Sequence, residues 1–178
     1  MLRKTLAPLL LLLSVATAYG IQGDADWVKF TSPKGLFSLM SPHEAKLEVD
    51  PDATTAKSTH QRFNDFEEGY GFVIEYFENT PVGDTEKYLD GTAEGIRKVV
   101  KGTLLEENKI SLDGYPGREL LLSFTAENGT VILSRTRLYV VDTNLFSVSY
   151  VWRKDIDAAV AAKIGGRFFS SLKIKPSE

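Results

Sequence analysis

Arg118, Arg135 and Arg137 fall in consecutive β-patterned runs with Tyr139, Tyr150 and Trp152. Guanidiniums beside aromatic rings suit anion recognition: the planar fork pairs bidentately with carboxylate or phosphate, and its face stacks on a ring. With Asn128-Gly129 as the two central residues of a hairpin turn, Arg118 faces Tyr139, Leu120 faces Arg137 and Leu122 faces Arg135. With a second turn at Thr143-Asn144, Arg137 faces Tyr150 and Arg135 faces Trp152. All six side chains then share one sheet face, as an anion pocket or a docking patch for an acidic partner. The competing reading lays the arginine stems over the rings at a sheet edge, with Glu119 or the earlier acids as salt-bridge partners.

Other chemistry finds little support. A nucleophile activated by a base needs a histidine or its equivalent beside it, and the chain has only His43 and His60, no cysteine and no G-x-S-x-G turn. Neither histidine has a ligand partner three or four residues away, so no zinc site is expected. Asp65, Glu67 and Glu68, and again Glu106 and Glu107, cluster without the spacing that wraps calcium. Gly165-Gly166 and the Gly91, Gly95 pair lie in helical patterns rather than in a phosphate-cradling loop. No catalytic residue, metal or cofactor is expected. A net charge of −3 also lacks the basic excess of a nucleic-acid-binding protein.

The elements that must position the arginines follow from periodicity. Residues 27–31 and 36–40 read as an opening hairpin around Ser32-Pro33-Lys34-Gly35, and residues 42–54 as irregular. Residues 55–63 and 70–77 read as strands joined by an acidic turn over 64–69. Asp84 caps a helix bearing Tyr88, Thr92, Ile96 and Val99 or Val100, which Gly102 ends. Residues 107–112 form a strand, 114–117 a tight turn, and 118–126, 130–141 and 145–152 a three-stranded meander. Asp155 caps a last helix with Ile156, Val160, Ile164, Phe168 and Leu172 at i, i+4 steps, before a polar tail over 173–178. Both faces of the meander are apolar, so each needs cover. The expected fold is α+β, an α/β/α sandwich around a mainly antiparallel sheet of six to seven strands with helices on both faces.

Residues 1–18 combine Arg3 and Lys4, a leucine run and Ala16-Thr17-Ala18, the pattern of an export signal cut after Ala18, with Gly20 the alternative. The apolar stretch is too short to span a bilayer and carries Pro8. Cleavage removes two bases and no acid, taking the net charge from −3 to −5 and leaving residues 19–178 as a single domain. With no cysteine there is no lipid attachment, so a periplasmic or secreted protein with no membrane span after cleavage is expected. Asn128-Gly129-Thr130 matches a glycosylation acceptor but is better explained as the hairpin turn.

Four stretches resemble secreted bacterial members of the PsbP-like superfamily. They are Phe30-Thr31-Ser32-Pro33-Lys34-Gly35-Leu36-Phe37-Ser38-Leu39-Met40-Ser41-Pro42, Leu112-Asp113-Gly114-Tyr115-Pro116-Gly117-Arg118-Glu119, Arg137-Leu138-Tyr139-Val140-Val141 and Phe168-Phe169-Ser170-Ser171-Leu172-Lys173. That superfamily includes the extrinsic photosystem II subunit of plants and a nuclear-import factor that binds the Ran GTPase. The resemblance implies an α/β/α sandwich and accessory binding rather than catalysis, and no residue matches a known contact surface closely enough to be carried over. The expectation is an exported, non-enzymatic accessory or binding module of the bacterial envelope whose partner is an envelope protein or a small anionic ligand. A small periplasmic hydrolase and a structural or stress-protective protein are the alternatives.

Overall fold

The computed structural model describes residues 27–43, 45–48, 60–67, 69–80 and 83–175, with backbone alone for 47–48 and 60–67. The expected export signal lies outside the described residues.

Seven strands form the main sheet, all neighbours antiparallel: β3 (Lys46–Glu48), β4 (His60–Glu67), β5 (Tyr70–Phe77), β9 (Asn144–Arg153), β8 (Val131–Val141), β7 (Tyr115–Thr125) and β6 (Thr103–Leu112), in that spatial order. A second, three-stranded sheet holds β1 (Val28–Thr31), β2 (Phe37–Ser41) and β10 (Lys173–Ile174), with β2 in the middle. The opening hairpin therefore stands apart from the main sheet, and part of the expected polar tail is a strand.

The two helices cover opposite faces. α1 (Thr85–Val100) packs on β7 and β8, burying Leu89 and Ala93 against Leu120, Leu122, Leu138, Val140 and Leu145. Its Asp84 cap accepts from the Lys87 amide at 3.2 Å, as the sequence predicts, and Lys101 ends it in the left-handed region. Val99, an expected apolar contact, is half exposed. α2 (Ala158–Ser171) packs on β2 and β9 and shares the larger core with Phe37, Leu39, Phe72, Tyr76, Phe146 and Tyr150. Its cap is Asp157, whose carboxylate takes the amides of Ala159 and Val160, rather than Asp155, which is paired with Arg153. Each fully buried Leu or Phe in these layers contributes about 1.5–3 kcal/mol.

Three turns depart from expectation, and one decides the site. Ala126 N donates to Thr130 O at 2.8 Å and Gly129 N to Ala126 O at 2.9 Å, with Gly129 at φ +83°. This is a three-residue loop, a tight turn completed by a left-handed glycine. The expected two-residue turn is replaced, and the β7–β8 register moves by one residue. Asp113-Gly114, both left-handed, replace the expected turn over 114–117, so β7 starts at Tyr115. The β8–β9 turn falls at Asp142-Thr143, shifting register by two and leaving the faces unchanged.

Candidate functional site

The one-residue shift separates the six candidate residues. Arg118 pairs with Leu138 rather than Tyr139, which turns it to the α1 face. There it is buried, giving Nε and Nη2 to Asp90 Oδ1 at 3.0 and 2.7 Å and Nη2 to Glu86 Oε2 at 2.7 Å. Arg118 thus docks α1 onto the sheet and is no part of the expected cluster. Glu86 also accepts from Lys109 at 2.7 Å. The hydrogen bond from Arg118, and then that from Lys109, hold the Glu86 carboxyl at about 2, well below its ordinary value.

The other five share the α2 face. Arg135 pairs with Tyr150 and Arg137 with Val148, while Leu133 takes the place opposite Trp152. The same shift brings Glu119 opposite Arg137. Its Oε1 accepts from Arg135 Nη1 at 2.8 Å and its Oε2 from Arg137 Nε at 2.6 Å, so one buried carboxylate clamps two arginines on neighbouring strands. Arg135 also lies 3.9 Å from Glu106 on β6, and the Arg137 guanidinium sits 4.4 Å above the Phe169 ring of α2. Both arginine side chains remain about a third exposed (33% and 30%).

Tyr139 and Tyr150 are core residues at 2% and 1% exposure, which removes them from any contact surface. Burial raises the pKa of both phenols, Tyr139 with partial opposition from Arg137. Tyr150 stacks between Phe72 and Trp152, ring centroids 5.3 and 4.8 Å away, and Trp152 keeps part of its surface open. The surface that results is Arg135 and Arg137 flanked by the partly exposed Leu121, Leu133 and Trp152, beside the outer strands β6 and β7. Glu119 and Phe169 are the residues that sequence reasoning placed wrongly or missed. Glu119 carried a signal as an acid flanking the arginine run, whereas nothing local marks Phe169. Among the described residues no group of three or more His, Cys, Asp or Glu converges as a metal site would, and no helix is long and apolar enough to cross a membrane.

No protein-family model and no curated protein matches the sequence. Solved structures do match. The cyanobacterial PsbP, CyanoP, of Synechocystis sp. PCC 6803 is 12% identical, with a TM-score of 0.58 over 89% of this chain and 98% of that one. LpqN of Mycobacterium tuberculosis, involved in cell envelope biogenesis, is 9% identical, with a TM-score of 0.52 over 84% and 91%. The Ran-binding protein Mog1p of Saccharomyces cerevisiae is 10% identical, with a TM-score of 0.50 over 84% and 96%. The helix-covered antiparallel sheet and its likeness to CyanoP, LpqN and Mog1p give this chain the PsbP-like fold.

Proposed function

We propose that the protein is an exported, non-enzymatic binding module of the bacterial envelope that docks a carboxylate-bearing protein surface on Arg135 and Arg137. The observation that carries this reading is the clamp itself: two arginines, each a third exposed, are held in place by one buried carboxylate. Their ordering entropy is spent in folding, so a partner meets preorganised forks rather than mobile chains. A guanidinium has five N–H donors, so the bonds to Glu119 leave others available. Trp152, Leu121 and Leu133 supply adjoining apolar surface, and Trp and Arg are the residue types that dominate interface energetics. The leader over residues 1–18 and the likeness to an envelope-biogenesis protein support the location, and a Ran-binding protein of the same fold supports protein docking.

The test is a cross-linking pull-down from the native envelope with tagged residues 19–178, comparing wild type with Arg135→Ala/Arg137→Ala and Arg135→Lys/Arg137→Lys. A partner retained by wild type and lost from both variants, with circular dichroism unchanged, supports the reading. Equal retention by all three, or no partner with wild type, overturns it.

A further inference from the structure

The opposite sheet face carries a concavity of opposite charge. Asp90, Ala93, Glu94 and Arg97 recur at the spacing of one helical stripe, and this stripe of α1 overhangs the outer strand β6. Between them a cleft of about 410 Å³ opens to solvent, within the range of small-ligand sites. Ala93, Leu104 and Leu120 give it an apolar lining. Asp90, Glu94 and Glu107 give it three carboxylates against the single guanidinium of Arg97, which is already paired with Glu94. Arg118 engages only Oδ1 of Asp90. An apolar lining with an acidic margin is complementary to one side-chain class, a lysine or arginine, whose aliphatic stem packs on carbon while its cationic end meets carboxylate.

A second observation says how such a side chain would be delivered. β6 is a ten-residue strand at the end of the main sheet, with β7 on one side and no strand on the other among the described residues. An open strand edge is a template for main-chain pairing, and a segment added there sends alternate side chains to each sheet face. Glu107 lies on the α1 face, paired with Leu120, so an added residue beside Glu107 on that face is directed toward the cleft.

We propose that an extended, basic segment of a partner protein pairs with the β6 edge and places a lysine or arginine side chain in the cleft between α1 and β6. This site is distinct from the Arg135–Arg137 surface, and its chemistry selects the opposite charge.

The probe is a fluorescein-labelled nine-residue peptide alternating threonine and lysine, titrated into residues 19–178 by anisotropy and by amide NMR. The expected result is saturable binding with shifts confined to residues 85–112, weakened about ten-fold in Glu94→Gln/Glu107→Gln, as losing two partly exposed charge contacts predicts. The same peptide N-methylated at alternate residues should not bind, because it cannot pair as a strand. Both substituted glutamates are surface residues, so the variant retains the fold, and the NMR spectrum verifies this. Unchanged affinity in the double variant, equal binding of the N-methylated peptide, or shifts centred elsewhere overturns the proposal. Arg135→Lys/Arg137→Lys leaves this binding intact, so failure here and failure of the arginine docking surface are read separately.

Discussion

Gly165 rests directly on the ring of Tyr150: a methyl group built on its Cα would lie 2.8 Å from the tyrosine Cδ1. The ring cannot retreat, because Phe72 stacks on it and Trp152 stacks with it. The α2 backbone therefore approaches the sheet as closely as an absent side chain permits. Gly165→Ala should cost about 1–3 kcal/mol, the usual cost of overpacking a filled core. The adjacent Gly166 faces open space, so Gly166→Ala should stabilise by up to about 1 kcal/mol through helix propensity. Urea denaturation of both variants checks the pair, and equal effects would show that the helix is not seated on the ring.

The Tyr150 hydroxyl is a buried polar side-chain atom with no hydrogen-bond partner among the described residues. Leaving such a group unpaired costs roughly 1–3 kcal/mol, and replacing it by hydrogen removes that penalty at little cost in packing. Tyr150→Phe should therefore raise the denaturation midpoint. A lower midpoint would mean that the hydroxyl is satisfied in solution.

Glu119 holds Arg135 and Arg137 together, and removing it leaves two neighbouring guanidiniums without their common acceptor. Glu119→Ala should lose about 2–4 kcal/mol, combining charge-assisted hydrogen bonds with lost burial. Glu119→Gln keeps the shape and one acceptor, so its loss should be smaller. Thermal unfolding of both variants measures the difference, and the order should reverse if volume rather than charge pairing governs the position.

The Glu86 carboxyl titrates near 2 in the folded protein against an ordinary 4.5, through the hydrogen bond from Arg118 and then that from Lys109. A depressed carboxyl stabilises the fold fully above its unfolded value and loses that contribution as pH falls from about 4.5 toward 2. Stability measured across this window should decline less steeply in Glu86→Gln than in wild type. Parallel acid limbs would show that Glu86 exchanges its contacts for water.

Much of this architecture is legible in the residues. The 70–77 strand, the Asp84 cap and the two apolar faces of the meander follow from alternation and from a carboxylate ahead of a helical stripe. The candidate site is less legible because a hairpin's register hangs on its loop. Asn128-Gly129 fits a two-residue turn and equally the end of a three-residue loop, since both place glycine at positive φ. That single residue sends Arg118 to α1 and brings Glu119 to Arg137. Phe169 reaches Arg137 only through the docking of α2, a contact with no local signature.

Strand β2 has as neighbours β1, which lies just before it, and β10, which lies at Lys173–Ile174. Pairing Ser38 with Lys173 closes a loop containing most of the chain, and such closures cost entropy that nearer contacts do not. The small sheet is consequently the last part of the molecule able to finish, and it cannot do so until the C-terminal residues have been synthesised. For a chain that must cross a membrane unfolded before it works, this ties completion of the native state to release of the whole polypeptide. The order of folding is thereby written into where the sequence begins and ends.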